Sequence, residues 1–233
     1  MIATDRFVFL HLHKSGGSFV NECLRQHVPG AGQLGYHLPG SLIPEAFKKL
    51  PVIGLVRNPW SYYVSWFSFQ QQRPQRNALF RVVSDEGRLD FKGTINNMLD
   101  LGQNDAMLSR LLDMLPQKYG SQGLNLPGFA LAPIRGSGLG FYSYLYQYMY
   151  TGVTSALHVG RMEDLPQELL RLFEVTRQPV SDDLRRHLLS APPANPSKHA
   201  PYGSYYDDVL RDRVASRDAL VIGRYGYAFD ATG

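Results

Sequence analysis

Short apolar runs recur along the chain, and each is followed by a stretch with helical character. They cover Phe7 to Leu12, Pro51 to Val56 and Ala156 to Arg161. The first two have the length and composition of strands that are buried on both faces of a parallel sheet, and the third is also predicted to be a strand. Strands that alternate with helices favour the α/β class. We therefore expect a single α/β domain over residues 1–233, with a central parallel β-sheet flanked by helices.

The first two of these helices carry clear start signals. Asn58 is a good N-cap and Pro59 suits the first helical position, which predicts a helix from Pro59 to Gln72. Aromatic residues lie all round this helix, so much of it should be buried. Ser18 is the expected N-cap of an earlier helix that continues from Phe19 to Gln26.

The remaining segments are assigned by the same signals. A long loop is expected from Val28 to Pro44, and Lys118 to Gly140 has the composition of a mobile loop or lid. The helix expected at Phe141 to Tyr150 contains five tyrosines, for which core packing is preferred over sugar binding. Further helices are predicted at Pro44 to Leu50, Leu79 to Leu89, Thr94 to Leu115, Met162 to Val175, Asp182 to Leu189, Asp207 to Ala215 and Arg217 to Arg224.

Composition and charge narrow the class of protein. The chain is 44% hydrophobic and 19% charged, which is ordinary for a globular protein with a large core. A formal net charge of +4 suits an anionic ligand, whereas the lack of a long Lys/Arg run argues against nucleic acid as a partner. Cys23 is the only cysteine, so an intramolecular disulfide and a Cys-based zinc site are excluded, and we expect it in the core. No signal peptide or apolar stretch of membrane-spanning length is recognisable, which predicts a cytoplasmic protein without a transmembrane segment.

The turn after the first strand has the features of a phosphate cradle. The sequence Lys14-Ser15-Gly16-Gly17-Ser18 connects that strand directly to the next helix. Adjacent glycines let an anion approach the main chain, and the N–H groups and dipole of a helix N-terminus favour negative charge. The turn is not a Walker A loop, in which the Lys follows the last Gly. An ordinary strand–turn–helix corner is the alternative interpretation.

A second basic residue follows the second strand. Arg57 comes directly after Val56, as Lys14 comes after the first strand. Ligands of open parallel sheets bind at the carboxyl ends of the strands, so two cations there suggest a ligand with two separated anionic groups. Arg57 could instead pair with a carboxylate such as Glu163. Ser65, on the helix after Arg57, is uninformative by itself.

At two of these places the sequence resembles sulfotransferases that use 3′-phosphoadenosine 5′-phosphosulfate (PAPS). His13 to Phe19 resembles the 5′-phosphosulfate loop of that family, most closely in the carbohydrate group, with serines where threonine is commoner. Val56 to Ser65 resembles the family's 3′-phosphate motif, including the spacing from Arg57 to Ser65.

The resemblance extends along most of the chain. Gly160 to Leu165 is similar to the family's Arg-x-Glu-Asp-Leu strand end, and Asn195 to Tyr227 is similar to its C-terminal pattern. Gln70 to Gly140 lies outside the match. The resemblance implies a P-loop-like sulfotransferase fold, with a variable acceptor-side region at about residues 70–150.

The resemblance also implies roles for individual residues. Lys14 would neutralise charge on the bridging oxygen as the 5′-phosphate leaves, and Arg57 with Ser65 would hold the 3′-phosphate. Lys198 lies in a loop that approaches the 3′-phosphate in some relatives, although the sequence around it departs from their Arg-Lys-Gly pattern. The product would be adenosine 3′,5′-bisphosphate, and no metal is needed. The 5′-phosphate would be held by hydroxyl and N–H groups of Ser15, Gly16, Gly17, Ser18 and Phe19.

The acceptor needs a base to take its proton. His37 is the preferred candidate, because it lies between the two phosphate motifs, where related carbohydrate sulfotransferases have a catalytic His. A solvated loop histidine is the alternative interpretation of His37. His11 and His13 are the next candidates for the base, on one face of the strand, and a metal pair there would lack an evident third ligand.

We therefore expect PAPS-dependent sulfation, by in-line transfer, of a hydroxyl on a saccharide or another hydroxylated metabolite. One alternative is a nucleotide-dependent kinase with a divergent phosphate loop, although a Walker-type Gly-Lys-Ser/Thr and an Asp for magnesium are not in place. The other alternative is a non-catalytic module that binds an anionic nucleotide or polysaccharide. The identity of the acceptor, the oligomeric state and the role of residues 118–140 stay open at this stage.

Overall fold

The protein has an α/β architecture in which a five-stranded mixed sheet is flanked by helices. The structure, a computed structural model, describes residues 1–121, 123–190 and 199–231. The strands are β1 (Ile2–Ala3), β2 (Val8–Leu10), β3 (Gly32–Gln33), β4 (Val52–Val56) and β5 (Leu157–Arg161). Their order across the sheet is β3-β1-β2-β4-β5.

The three predicted strands are present and run parallel to one another. β2 pairs with β4 from Val8 opposite Val52, and β4 pairs with β5 as far as Val56 opposite Arg161. The sheet as a whole is mixed rather than parallel, because β1 pairs antiparallel with both β2 and β3. These two additional strands have two residues each, too few to form a recognisable apolar run.

The helices agree with most of the predicted segments. Among the described residues, every helix is too short or too polar to traverse a lipid bilayer. Short 3₁₀ segments also occur, including Glu45–Phe47 where a helix was expected from Pro44 to Leu50. The α-helices are α1 (Gly17–His27), α2 (Pro59–Gln71), α3 (Ala78–Val83), α4 (Phe91–Leu99), α5 (Asp105–Met114), α6 (Gly128–Leu131), α7 (Phe141–Tyr150), α8 (Leu165–Val175), α9 (Asp182–Ser190), α10 (Asp208–Arg217) and α11 (Ala219–Tyr225).

Helix boundaries depend on local capping, and several of the predictions need correction. The helix predicted from Leu79 to Leu89 ends at Val83, with Ser84 as its C-cap. Asn58 accepts the N–H of Trp60 at 3.0 Å and caps α2, as predicted. The single helix predicted from Thr94 to Leu115 is two helices, because the Asn104 side chain caps a new start at α5. The segment from Lys118 to Gly140, expected as a loop, contains α6 and a 3₁₀ turn at Ala132–Ile134.

The described residues group into two compact units. The sheet unit comprises Met1–Arg57 and the described part of Tyr148–Pro196, and the helical unit comprises Asn58–Gln147 and the described part of Ser197–Gly233. The interpretation of residues 1–233 as one domain stays a prediction.

The core of the sheet unit lies between one face of the sheet and α1, α8 and α9. Cys23 is fully buried there, as predicted, and burial raises the pKa of its thiol to about 12. This packing anchors α1 against the sheet, next to the strand that precedes the predicted phosphate loop. The core side chains include Phe7, Phe9, Val20, Leu24, Ile53, Leu55, Leu169, Leu172, Phe173 and Leu184.

The helical unit contains a fully buried carboxylate. Asp218 accepts hydrogen bonds from the Tyr63 hydroxyl at 2.7 Å and from the Ser143 backbone N–H at 2.8 Å. Burial disfavours the charged form and raises the pKa of Asp218 to about 6, although both bonds act in the opposite direction. In α7 the side chains of Tyr142 and Tyr146 are buried, so core packing of the tyrosine-rich helix is confirmed.

Candidate functional site

The predicted phosphate loop is a tight turn between β2 and α1. Lys14 and Gly16 both have left-handed backbone conformations, with φ of 56° and 76°. Glycine adopts this conformation readily, whereas a lysine does so uncommonly. Gly17 is required for a different reason, because a Cβ atom at this position would overlap the ring of His11. One glycine therefore permits the backbone turn, and the other permits close packing.

Helix α1 begins without a side-chain cap. Its N-cap is Gly16, so the prediction of Ser18 as N-cap is wrong: the left-handed turn at Gly16 starts the helix earlier, at Gly17. Ser18 lies exposed in the first turn. The first N–H groups of a helix have no intrahelical acceptor, and together with the helix dipole they favour an anion. The start of α1 therefore has the features on which the predicted phosphate cradle depends, and anion binding there stays a prediction.

The two predicted phosphate-binding cations come together within the sheet unit. Lys14 and Arg57 follow β2 and β4, which are adjacent and parallel, so both emerge at the same edge of the sheet. Nη1 of Arg57 donates to the carbonyl oxygen of Lys14 at 3.3 Å. Both residues are partly exposed to solvent. This edge therefore has two cationic side chains next to the start of α1.

The other residues predicted to bind the donor have different environments. Ser15 is buried, and its hydroxyl donates to the carbonyl oxygen of His13 at 3.3 Å. The ring of Phe19 is buried and stacks on His187, with 5.6 Å between centroids. Ser65 is buried in α2 of the helical unit, and its part in binding the 3′-phosphate stays a prediction. Lys198 lies outside the described residues.

Three imidazoles form a buried cluster beside the loop. His11, His13 and His37, named here the imidazole cluster, are 3%, 6% and 4% exposed. The ring of His37 stacks on that of His13, with 3.7 Å between centroids and 14° between planes. The centroid of the His11 ring lies 4.2 Å from that of His37, at 47°. The interpretation of His37 as a solvated loop histidine is therefore wrong.

The hydrogen bond of His37 determines which nitrogen can accept a proton. Its Nδ1 lies 2.7 Å from the backbone carbonyl oxygen of His11. Because a carbonyl oxygen only accepts, Nδ1 has the hydrogen and the lone pair of the neutral ring is on Nε2. Burial lowers the pKa of His37 well below its usual value, and charge on His13 and His11 lowers it further, while the bond to the His11 carbonyl opposes this. His37 is therefore an uncharged imidazole at neutral pH.

His11 connects the predicted phosphate loop to the candidate base. The amide nitrogen of Asn21, on α1, lies 3.3 Å from Nδ1 of His11. The His11 ring fills the space next to Gly17, and its backbone carbonyl holds His37. Burial, followed by charge on His13, lowers the pKa of His11 well below its usual value. Helix α1, the loop and His37 therefore meet at one residue.

Asn21 and Tyr36 are site residues that the sequence analysis missed. Asn21 lies four residues after Gly17, on the same face of α1, which is a spacing that could have indicated it. The ring of Tyr36 meets that of His37 at 66°, with 4.1 Å between centroids. Within the described ranges, no group of three or more His, Cys, Asp or Glu side chains is arranged to hold a metal ion.

The fold and this site define an α/β protein with a cationic, uncapped helix start beside an uncharged buried imidazole. Neither the protein-family models nor the curated proteins compared with the sequence give a match. The resemblance to sulfotransferases therefore rests on the motifs of the sequence.

Proposed function

We propose that this protein transfers a sulfuryl group from PAPS to an acceptor hydroxyl. The observation that carries the proposal is the position of His37, whose ring stacks on His13, the residue directly before Lys14. An uncharged candidate base thus lies beside a cationic turn and an uncapped helix start. Transfer from an anionic donor to a hydroxyl uses both groups, one to remove the proton and one to stabilise the leaving phosphate.

The proposed donor site lies at the carboxyl edge of the parallel strands. The N–H groups at the start of α1 and the exposed hydroxyl of Ser18 hold the 5′-phosphate. Arg57 holds the 3′-phosphate, because a guanidinium group suits bidentate contact with phosphate oxygens. The hydroxyl of Ser15 bonds to the His13 carbonyl, so this residue serves the turn itself. The parallel β2-β4-β5 arrangement also supports assignment to a P-loop-like sulfotransferase fold.

The proposed reaction is a single in-line displacement. The acceptor oxygen attacks sulfur while its proton passes to Nε2 of His37. The bond between sulfur and the bridging oxygen of the 5′-phosphate breaks, and its electron pair leaves with adenosine 3′,5′-bisphosphate. Lys14 stabilises the negative charge on that oxygen, and His37 later releases its proton to water. A positioned general base typically contributes about 10²–10⁴-fold to such a step.

The finer parts of the proposal rest on the resemblance. They are a saccharide or another hydroxylated metabolite as the acceptor, and a variable acceptor-side region at about residues 70–150. A cytoplasmic location stays a prediction from the sequence. A divergent kinase and a non-catalytic anion-binding module are the competing outcomes of the experiment that follows.

Nucleotide binding and turnover test the proposal together. Calorimetry with adenosine 3′,5′-bisphosphate, ADP and 5′-AMP should show the tightest binding for the bisphosphate, and a panel of saccharides with PAPS should give turnover. His37→Ala should keep the nucleotide affinity and lose transfer by about 10²-fold or more. His158→Ala, which removes an imidazole from β5, is the matched control and should stay active.

Other outcomes would contradict the proposal. Preference for ADP with magnesium would favour the kinase, and binding without turnover would favour the module. If His37→Ala is as active as the parent protein, the base lies elsewhere, with His13 and His11 as the next candidates.

A further inference from the structure

The backbone of His37 needs support from its neighbours. Its φ of 51° lies in the left-handed region, which residues other than glycine adopt at a cost. The bond from Nδ1 to the His11 carbonyl fixes one edge of the ring. A single hydrogen bond in the ring plane sets the direction of Nδ1 but leaves the ring able to rock about the bond. A second contact is needed to fix the plane of the ring, and with it the direction of Nε2.

The ring of His13 provides that contact. It faces the ring of His37 at 14° between planes and 3.7 Å between centroids. The rings of His11 and Tyr36 meet His37 at 47° and 66°, so their contacts do not lie flat against its face. Close packing of two flat rings resists rocking, because any tilt brings atoms into overlap.

We propose that His13 is a positioning residue, whose ring fixes the plane of His37 and keeps water from the face of the ring that it covers. The inference rests on the proposed function for the role of His37 as base. It also concerns the His37 ring itself, whose tautomer and titration can be measured without any catalysis.

The electrostatics of the cluster are consistent with this role. The groups that act on His37 are the imidazoles of His11 and His13 and the α-amino group of Met1, with the Tyr36 ring also in contact. Burial is the largest cause of the lowered pKa of His37. Because its pKa is lowered, the His37 ring stays uncharged even at pH values somewhat below 6.5, the usual pKa of histidine. If His37 is the base, the loss of activity on the acid side of the pH profile therefore occurs below pH 6.5. Removal of the His13 ring admits water to His37. The effect of burial then weakens, and the pKa of His37 rises.

Two variants of His13 separate ring packing from charge. His13→Phe keeps a flat ring without a titratable group, and His13→Ala removes both. NMR spectra that correlate ¹H and ¹⁵N across two bonds, recorded on protein with ¹⁵N-labelled histidine, report the tautomer of each ring. In the Phe variant we expect His37 to keep the parent's tautomer and low pKa. In the Ala variant we expect mixed tautomers and a pKa closer to 6.5. His27→Ala, which removes an imidazole at the other end of α1, is the control and should leave the His37 signals unchanged.

Kinetics with PAPS give a second readout. His13→Ala should lose at least about tenfold in kcat with little change in affinity for adenosine 3′,5′-bisphosphate, because the base is misplaced while the phosphate contacts remain. In His13→Ala, the apparent pKa on the acid side of the pH profile of kcat/KM should rise. His13→Phe should recover most of the lost kcat. A purely structural role for His13 would lower stability without shifting the tautomer of His37.

The possible results separate this inference from the proposed function. If folded His13→Ala keeps the parent's tautomer and titration of His37, the inference is wrong. If His13→Ala does not fold, the His13→Phe variant is used to test the inference. A changed tautomer or a raised pKa of His37 in that variant would overturn it. If the spectra change as expected while the parent protein transfers nothing from PAPS, His13 still positions His37 and the proposed reaction is wrong.

Discussion

Lys14 combines a left-handed backbone with a position at the start of the predicted phosphate loop. Alanine adopts that backbone conformation about as reluctantly as lysine does, so Lys14→Ala should remove a charge and leave the fold intact. We expect kcat for sulfuryl transfer to fall by about 10²–10³-fold, because charge on the leaving oxygen develops mainly in the transition state. Steady-state kinetics measure this, with the exposed Lys48→Ala as the control. Near-normal kcat in a folded Lys14→Ala variant would contradict the assignment.

Arg57 should make the protein discriminate between nucleotides. We expect the parent protein to bind adenosine 3′,5′-bisphosphate far more tightly than 5′-AMP, and Arg57→Ala to lose most of this difference. Loss of a shielded charge contact costs about 2 kcal/mol or more, which is roughly thirtyfold in affinity. Arg57→Lys should recover only part of it, since an ammonium group cannot make the bidentate contact. Calorimetric titration of both nucleotides into the parent protein and the variants measures these affinities, with the exposed Arg6→Ala as the control. If Arg57→Ala keeps the parent's preference for adenosine 3′,5′-bisphosphate over 5′-AMP, a residue other than Arg57 binds the 3′-phosphate.

At the scale of elements, the start of α1 depends on the fit of Gly17 against the His11 ring. Gly17→Ala should lower the free energy of unfolding by about 1–3 kcal/mol, the usual cost of overpacking. In a His11→Ala background the same substitution should cost much less, because the overlapping ring is gone. Urea denaturation of the two single variants and the double variant measures the coupling. Gly32→Ala is the control, since a Cβ there meets nothing within 4 Å. A cost that persists in the His11→Ala background would contradict the contact.

At the scale of the whole molecule, the buried Asp218 should make stability depend on pH. Its pKa is raised from 3.8 to about 6 in the folded protein, so the folded state binds this proton more tightly than the unfolded state. Stability from this group is therefore greatest below about pH 4, falls between about pH 4 and 6, and is constant above. A shift of about two units corresponds to roughly 3 kcal/mol.

The variant Asp218→Asn isolates this effect from the other titrating groups. The difference in free energy of unfolding between the two proteins should change by roughly 3 kcal/mol between about pH 4 and 7.5, in favour of the variant at the higher pH. Urea denaturation at both pH values measures it. The exposed Asp113→Asn serves as the control for an Asp-to-Asn substitution outside the core. A difference that stays constant with pH would mean that Asp218 titrates normally in the folded protein.

Local sequence alone determined much of the architecture. The segments predicted as strands became β2, β4 and β5. β2 and β4 are buried throughout, and burial on both faces requires continuous apolar residues whatever their partners, whereas β5 at the edge of the sheet is only partly buried. Asn58 and Pro59 determined the start of α2, since capping involves only residues within one turn. The cationic turn at Lys14 and its position after a strand were likewise evident from adjacent residues.

Tertiary structure decided what no local pattern contains. The short strands β1 and β3 exist only through pairing with neighbours, so the mixed sheet could not be predicted from apolar runs. His37 reaches the His11 carbonyl across 26 positions of the chain, and its burial distinguishes it from a solvated loop histidine. The need for Gly17 follows from a ring that lies six residues earlier in sequence but against it in space. Periodicity and capping report on neighbours along the chain, whereas the site is built from contacts between segments that only folding brings together.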